Sequence, residues 1–371
     1  MSERMTMKLA INRQAFSTAL GEAATVAASR TPKPILQCVL LRTVDRALVV
    51  MATDLETSLR VGVPQVEVSD PGAAVVSAEK LTAIVRESSD EVLHVETDAQ
   101  FCHIRGEDSH FQIFMLDPAE YPPIPDLEGE PHLRVPAEEL ARMIAYTCYA
   151  AAKENTRFAI NGLLWEKRGR RLRLVATDGR RLALAMGAAA DGGGENVEAI
   201  VPLKAVSTLQ RVLADVEGDV RVRMTPNQIV AQAGLATVSS VLVEGHFPKY
   251  EDVIPQDNDK KVEMNAGEFL RALKRAALLT TQESRGVRLS FKKGVLELTS
   301  RAPEQGEAHI TLPIEYEYEP LAIGFNPGLL IDALKALEPE TVEFSMKEAN
   351  RPGLLRAGTD FTYVVMPVNL S

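Results

Sequence analysis

The sequence is poor in cysteine and has no long apolar segment. Its three cysteines, Cys38, Cys102 and Cys148, include no closely spaced pair of the kind that binds metal or performs redox chemistry. We therefore expect reduced, partly buried thiols in a cytoplasmic protein. No apolar run reaches the ~18 residues that a membrane-spanning helix needs, and residues 1–8 lack the apolar core of a secretion signal. These absences argue against membrane and disulfide-rich secreted proteins.

Aromatic residues and net positive charge are also scarce. Only 5% of the residues are aromatic, and the formal net charge is −10, which by itself argues against a nucleic-acid-binding protein. Hydrophobic residues make up 46% and charged residues 25%, which is typical of a folded globular protein. A chain of 371 residues suggests two or three domains.

Three copies of one unit fill the chain. Each copy begins with a short strand and an amphipathic helix, and Phe16, Leu140 and Phe269 occupy the same place in that helix. A later strand runs into a turn at Thr53-Asp54 and again, 124 residues on, at Thr177-Asp178. The third copy keeps the strand but lacks the Thr-Asp pair. Asp54 and Asp178 therefore belong to separate domains.

A second helix is predicted in every copy from apolar residues at helical spacing and from an N-terminal signal at Ser77, Pro202 or Asn326. Between the helices lie short β-rich segments of alternating polarity. The predicted fold class is α+β, with three repeated domains of two helices packed on antiparallel sheet. The predicted helices are Ser77–Glu87, Pro202–Ala214 and Asn326–Leu337, the predicted strands include 92–95, 111–116, 220–224, 237–243 and 362–366, and the domains are 1–128, 129–257 and 258–371.

The charge is unevenly distributed between helices and the rest of the chain. The six helical segments, taken as 13–30, 77–87, 136–153, 202–214, 266–275 and 326–337, hold twelve Lys and Arg against seven Asp and Glu, a net charge of +5. The remaining residues then carry −15. Solvated helix faces explain such a tally equally well, but a basic surface facing a polyanion inside an acidic protein would bind duplex phosphates without sequence preference and permit sliding.

A DNA-processing enzyme such as a metal-dependent nuclease is the competing class. It would need carboxylates or histidines clustered at ligand spacing, whereas the six histidines are scattered along the chain. The Gly192-Gly-Gly194 run has no Lys-Ser/Thr after it, so it is not a phosphate-binding loop. The few aromatic residues do not recur along the basic helices, which argues against a stacking platform for single strands. We predict no catalytic site, metal or cofactor.

Several motifs, in order along the chain, resemble those of the bacterial DNA polymerase III beta subunit, the sliding-clamp family. The resemblance implies a non-catalytic processivity factor, in which two chains of three domains join head to tail into a ring around duplex DNA. It also implies the replicative polymerase alpha subunit, the clamp loader and repair proteins as partners. The motifs are Arg30-Thr-Pro-Lys-Pro-Ile-Leu36, Ala52-Thr-Asp-Leu-Glu56, Thr156-Arg-Phe-Ala-Ile-Asn-Gly162, Ala176-Thr-Asp-Gly-Arg-Arg-Leu-Ala183, Phe247-Pro-Lys-Tyr-Glu-Asp-Val-Ile-Pro255, Arg285-Gly-Val-Arg288, Pro303-Glu-Gln305 and Tyr363-Val-Val-Met-Pro-Val-Asn-Leu370.

The resemblance also implies where this chain would meet its partners. A partner-peptide pocket is implied at Ile160, Thr177, Gly179, Arg180, Arg181, Leu182, Pro248, Val253, Val364, Met366, Pro367 and Leu370. A dimer interface is implied at Phe111 and Ile113 against Leu278, Leu279, Glu304 and Glu307, with Lys80 and His110 at its rim. DNA contacts are implied at Arg30, Lys80, Arg86, Arg157, Lys204 and Arg211.

The pocket residues suit a linear peptide, because Leu, Ile, Met and Pro form an apolar groove and Gly179 permits close backbone approach. Arg181 is expected to bond a peptide carbonyl or carboxylate. The chain departs from the family at Arg180, Asp252 and Asn369, and Ser371 follows the usual terminal Leu. These departures bear on the exact peptide preference. A second clamp with its own set of partners remains the alternative.

Overall fold

The computed structural model describes residues 6–153, 159–189, 196–280, 286–303, 305–338 and 340–369. Within these residues the chain forms 25 strands and six α-helices. The helices are α1 (Arg13–Val26), α2 (Ala78–Glu87), α3 (Ala137–Thr147), α4 (Leu203–Leu213), α5 (Ala266–Ala276) and α6 (Pro327–Ala336). None of them is long and apolar enough to cross a membrane.

The strands follow the three copies that were recognised in the sequence. The first copy contains β1 (Lys8–Asn12), β2 (Cys38–Val44), β3 (Ala47–Thr53), β4 (Thr57–Val63), β5 (Val66–Asp70), β6 (Ala73–Ser77), β7 (Val92–Thr97), β8 (Phe101–Arg105) and β9 (His110–Leu116). The second contains β10 (Leu133–Pro136), β11 (Gly162–Arg168), β12 (Arg171–Thr177), β13 (Arg181–Ala188), β14 (Val197–Pro202), β15 (Asp219–Thr225), β16 (Gln228–Ala233) and β17 (Ala236–Val241). The third contains β18 (Lys260–Asn265), β19 (Val287–Lys292), β20 (Val295–Ala302), β21 (Gly306–Pro313), β22 (Leu321–Phe325), β23 (Thr341–Met346), β24 (Gly353–Ala357) and β25 (Phe361–Val365).

Side-chain caps set where several helices begin. Ser77 accepts a hydrogen bond from the amide of Lys80 at the start of α2, and Asn326 accepts one from Gly328 at the start of α6. Asn12 and Asn265 do the same for α1 and α5. Each cap satisfies an amide that has no partner inside the helix. The helix starts predicted at Ser77 and Asn326 are confirmed.

Each copy builds the same two sets of four antiparallel strands. In the third copy these sets are β22-β19-β20-β21 and β18-β23-β24-β25, and the second copy repeats them as β14-β11-β12-β13 and β10-β15-β16-β17. The first copy has β6-β2-β3-β4 and β1-β7-β8-β9, with β5 added beside β1. The repeat read from the sequence therefore corresponds to a repeated topology.

Strand pairing also joins one copy to the next. β4 of the first copy pairs with β17 of the second, and β13 of the second pairs with β25 of the third. Together with the β6–β9 pair inside the first copy, these pairings make sheets of 13 and 8 strands beside the four-stranded sheet. By its contacts the chain divides into two compact units, Met1–Glu138 with Lys204–Leu242, and Glu139–Leu203 with Val243–Ser371. The second copy contributes strands to both units, because each unit is built around a continuous sheet that includes strands of two copies. The domain boundaries at 128 and 257 stay predictions.

The first helices of the first and second copies are shorter than the segments used for the charge tally. α1 ends at Val26 and α3 at Thr147, so Arg30 and Lys153 lie outside helices. With the observed bounds, the six helices hold ten basic and seven acidic residues, a net charge of +3 rather than +5. The error arose because alanine-rich continuations keep a helical pattern after the hydrogen-bonded helix has ended.

Candidate functional site

A tight turn between β12 and β13 forms one edge of the implied peptide pocket. The Asp178 Oδ1 atom accepts hydrogen bonds from the amides of Arg180 (2.9 Å) and Arg181 (3.1 Å). The Thr177 hydroxyl donates to the Arg181 carbonyl (2.6 Å) and accepts from the amide of Gly179 (3.1 Å). Gly179 has φ +84°, a conformation that residues with a Cβ adopt only with strain. The Thr-Asp pair therefore forms the turn, and Gly179 adopts its left-handed conformation without strain.

Arg181 is held firmly inside the second compact unit. Its Nε bonds Asp178 (3.1 Å), one terminal nitrogen bonds Asp332 (2.8 Å), and the other bonds the carbonyl of Tyr149 (2.7 Å). Burial by itself lowers the pKa of Arg181, but the carboxylate of Asp332 and the other acidic neighbours raise it above its ordinary value. With these donors occupied, Arg181 orients the turn, and the peptide contact expected of it stays a prediction.

The floor of the pocket is apolar and lies across the joint between β13 and β25. Leu182 stands opposite Val364 in this strand pair, and each is at most 3% exposed. Both belong to a buried cluster that includes Tyr250, with Phe247 and Ile254 packed against it. The segment 247–254, which contains Pro248, is thereby placed on the same floor.

Two of the implied pocket residues are exposed apolar side chains. Met366 is 43% exposed and Val253 is 53% exposed, whereas Ile160 and Thr177 are buried. Two backbone hydrogen bonds hold the segment after β25. The amide of Met366 donates to the Arg180 carbonyl, and the amide of Val368 donates to the Gly324 carbonyl. Arg180 is exposed and Pro367 half-buried, while Leu370 lies outside the described residues. An apolar floor with exposed apolar edges is a surface on which a short peptide can bury side chains.

Sequence reasoning missed several residues of this pocket. Leu184 and Tyr250 are buried in its floor, and Phe247 and Met186 pack against the same cluster. Phe247 and Tyr250 lie in a family motif, and Leu184 and Met186 follow Leu182 at the period of two that places strand residues on one face. That periodicity is the signal that would have found them.

The first copy contains the same turn with a leucine in place of the glycine. Asp54 Oδ1 accepts from the amides of Glu56 and Thr57, and the Thr53 hydroxyl donates to the Thr57 carbonyl. Leu55 takes the place of Gly179, with φ +80° and 48% of its surface exposed. The hydrogen bonds of the turn hold this leucine in a conformation that costs about 1–2 kcal/mol.

Replacing Leu55 with asparagine is expected to stabilise the first compact unit by about 1 kcal/mol, because asparagine tolerates the left-handed conformation and little buried surface is lost. Calorimetric unfolding would record the change as a higher melting temperature. Gly179→Ala is the matched control and should lose about 1 kcal/mol, since a Cβ at Gly179 meets no atom within 4 Å and only backbone strain is added. A lower melting temperature for Leu55→Asn would contradict this account.

The implied DNA-contact residues that the structure describes all lie in the first compact unit. Lys80 and Arg86 are exposed on α2, but Glu79 lies 3.6 Å from Lys80 and Glu87 lies 3.1 Å from Arg86. Arg30 follows α1, and Arg211 is exposed in the last turn of α4. Among the described residues neither Arg30 nor Arg211 has an ion-pair partner. Arg157 lies outside the described part of the chain.

Lys204, in the first turn of α4, is already engaged within the protein. Its ammonium contacts the Asp54 carboxylate and donates to the carbonyl of Val26 at 3.0 Å. Burial acts to raise the pKa of Asp54, but the hydrogen bonds from Lys204 and from the turn amides lower it below its ordinary value. Lys204 therefore ties α4 to the end of α1, and less of its charge is available to a phosphate.

The implied interface residues lie on β9, on β21 and in the short turn that follows α5. Phe111 is 41% exposed on β9, and Ile113 is half-buried beside it. Leu278 is 78% exposed just after α5, while Leu279 lies near β21, where Glu307 is exposed and bonded to Arg301. Glu304 lies outside the described residues. A contact surface at these residues stays a prediction.

A histidine pair stands at the rim of the β9 edge. His110 Nε2 lies 3.1 Å from His103 Nδ1, and the other ring nitrogen of His103 lies 2.9 Å from Asp98. The amide of Gln100 and the contact with His103 lower the pKa of Asp98 to about 2. His110 is thus oriented through His103 by a carboxylate that is ionised at neutral pH.

Other possible sites in the described residues do not coincide with the pocket. No group of three or more His, Cys, Asp or Glu in this part of the chain could hold a metal ion. A cavity of about 670 Å³ lies beside β18 and the end of β21, with a largely polar lining that includes Lys261, Glu263 and Glu268. None of the implied pocket residues lines it.

The sequence matches three family descriptions in succession. Residues 7–125 match the DNA polymerase III beta subunit N-terminal domain, 134–249 the central domain and 251–369 the C-terminal domain. The beta sliding clamp of Pseudomonas putida is 34% identical over 367 residues, covering 98% of this chain and all of that protein. That of Escherichia coli K12 is 33% identical over 368 residues, with the same coverage.

Solved structures agree with these matches over the same length. The sliding clamp of Pseudomonas aeruginosa bound to griselimycin has a TM-score of 0.91 and 33% identity, and the clamp of Bacillus subtilis has 0.93 and 28%. Each comparison covers 98% of this chain and all of the other. The chain belongs to the DNA polymerase III beta subunit family of sliding clamps.

Proposed function

We propose that two copies of this chain close head to tail into a ring around duplex DNA and hold the replicative polymerase, the clamp loader and repair proteins through the groove at Thr177–Leu182. The family's role is that of a non-catalytic processivity subunit, so the nuclease alternative is rejected. The proposal rests on one kind of strand pairing between copies. This pairing is formed twice within the chain, and the two strands that would form it a third time do not pair with each other in the described residues.

The joint pairs equivalent strands of successive copies. β4, β13 and β21 occupy the same place in the three copies, and so do β17, β25 and β9. β4 pairs with β17 and β13 with β25, but β21 pairs only with β20 among the described residues. Residues 110–114 of β9 likewise have only β8 beside them in the described part of the chain. A second chain is the source of the missing partner, and the head-to-tail contact closes on itself when it is made twice.

The side chains at the two open edges favour this closure. Val26, the first-copy counterpart of Leu279, is fully buried, whereas Leu279 is only half-buried. Beside these positions Leu278 is 78% exposed, and Phe111 on β9 is 41% exposed. An open edge with apolar residues is prone to pairing with another chain. Joining β9 to β21 would bury these residues in an interface core and leave His110 and Glu307 at its rim.

The DNA contact is proposed for the basic helix residues. Arg30, Arg211 and the exposed ends of Lys80 and Arg86 can reach phosphates, while the acidic remainder of the chain discourages binding elsewhere. Phosphate contacts carry no sequence information, so the ring can slide. A cytoplasmic location belongs to the same proposal and is supported by three free cysteines, of which Cys38 and Cys102 are buried.

A topological test distinguishes a ring from an ordinary DNA-binding protein. Labelled protein is loaded onto nicked circular plasmid by a clamp-loader complex and ATP, separated by gel filtration, and then treated with an enzyme that cuts the plasmid once. We expect most of the protein to remain with the circle and to leave after linearisation, because a ring slides off free ends. Equal loss from circular and linear DNA would refute the ring.

A further inference from the structure

The hairpin of β11 and β12 carries a concentration of positive charge that the proposed function does not use. Five of the seven residues from 167 to 173 are basic, in a chain whose net charge is −10. Arg168, Arg171 and Arg173 line a cavity of about 240 Å³ together with Glu166. Lys167 is buried and takes no part in this lining.

The acidic groups near the cavity leave part of this charge unbalanced. Glu166 is 3% exposed, and its carboxylate accepts from Arg168, Arg173 and the hydroxyl of Tyr250. Arg173 also reaches Glu251 at 2.9 Å, and Glu198 stands opposite Glu166 on β14. The lining itself carries three guanidinium groups against one carboxylate. Arg171 is exposed and has no ion-pair partner among the described residues.

This cavity lies on the same face of β11 and β12 as residues of the buried cluster under the implied peptide groove. Alternate residues of a strand lie on one face, and on β12 one such face carries Arg171, Arg173, Val175 and Thr177. The matching face of β11 carries Leu164 and Glu166. Leu164, Val175 and Tyr250 belong to the cluster under the groove, and Tyr250 bonds both Glu166 and Arg173. From Val175 to Arg171 the strand covers about 13 Å, the length of about four extended residues.

We infer that the arginine cavity binds acidic side chains of the partner segment, about four residues to one side of the apolar anchors that occupy the groove. Arginine forms paired, charge-assisted hydrogen bonds with a carboxylate, and the cavity admits a group of that size. Burial raises the pKa of Tyr250 to about 12, so its hydroxyl stays protonated and keeps Glu166 bonded within the protein. The inference rests on the groove proposed above.

Peptide titrations by fluorescence anisotropy test the inference on the full-length protein. One anchor peptide that contains Leu and Phe is extended by four residues at its N-terminus or at its C-terminus. The extension is either acidic, Glu-Glu-Asp-Glu, or neutral, Gln-Gln-Asn-Gln. At low salt we expect the acidic extension at one end to tighten binding by about tenfold. Arg171→Glu should remove this advantage while leaving the affinity of the neutral peptide unchanged. Lys293→Glu, at the corresponding hairpin of the third copy, is the matched control and should keep the advantage.

The possible outcomes separate the two proposals. Equal binding of acidic and neutral peptides at both ends, or an advantage that survives in Arg171→Glu, overturns the acidic site and leaves the groove standing. Failure of every peptide to bind overturns the groove and the acidic site together. Displacement of the acidic extension by short duplex DNA, with Arg171→Glu weakening the binding of that DNA, would assign the arginines to phosphate and also overturn the inference.

Discussion

Met366→Asp is expected to weaken the binding of a partner peptide by about hundredfold or more, while the protein stays folded and dimeric. Met366 forms the exposed apolar rim beside Leu182 and Val364. A carboxylate there removes about 1.5–3 kcal/mol of apolar burial and places an unpaired charge in the bound complex. Each 1.4 kcal/mol corresponds to tenfold in affinity. Isothermal titration with a polymerase-derived peptide measures the loss.

Val241→Asp is the matched control for this change. The amide of Val241 donates to the carbonyl of Glu56, as that of Met366 donates to Arg180, and the two side chains are 47% and 43% exposed. Val241→Asp should therefore leave peptide affinity unchanged. Removing Met366–Ser371 should abolish binding and keep the dimer, because β25 ends at Val365. A truncated chain with full peptide affinity would refute the location of the groove.

The first copy shares the backbone of the groove but not its apolar floor. Ser58 and Ser239 stand opposite each other in the β4–β17 pair, in the places of Leu182 and Val364. Arg60 replaces Leu184 and bonds Asp126 at 2.8 Å. The guanidinium of Arg60 would lose water to an apolar anchor without gaining a partner, and the two buried serines offer that anchor little apolar surface. This difference accounts for placing one peptide groove, rather than two, in each chain.

Leu278→Asp is expected to convert the dimer to a folded monomer, with dimer affinity falling by at least about hundredfold. Leu278 is 78% exposed in the single chain, so aspartate there leaves the fold intact. In a closed ring the same position would lie in an apolar interface, where an unpaired charge costs several kcal/mol. Analytical ultracentrifugation gives the mass, and loss of retention on circular DNA should accompany the change.

Leu235→Asp serves as the control for the interface variant. Leu235 is 66% exposed in the β16–β17 hairpin, and neither β9 nor β21 is a neighbour of these two strands in the described sheets. It should leave both the mass and the retention on DNA unchanged. A Leu278→Asp protein that sediments as a dimer would place the interface elsewhere and remove the support for closure through β9 and β21.

Local pattern was enough to predict the repeat, the second helix of each copy and most strands. Ser77 and Asn326 cap the helices that they were expected to begin, because capping depends on residues only two or three positions away. The Thr-Asp turns at Thr53 and Thr177 are formed by the same hydrogen bonds, which also span fewer than five residues. The strand expected at 237–243 ends at Val241, since boundaries depend on pairing partners as well as on composition.

The sequence by itself therefore determined the three α+β copies, their turns and the family, since each rests on short-range periodicity or on ordered motifs. Tertiary structure decided which copy carries an apolar groove, because the floor is formed only where Leu182 meets Val364, residues 182 positions apart in the chain. It also decided that Arg181 is occupied by Asp178 and Asp332 and that Lys204 is bonded to Asp54. The open edges of β9 and β21 likewise depend on long-range strand pairing, which no local pattern in the sequence records.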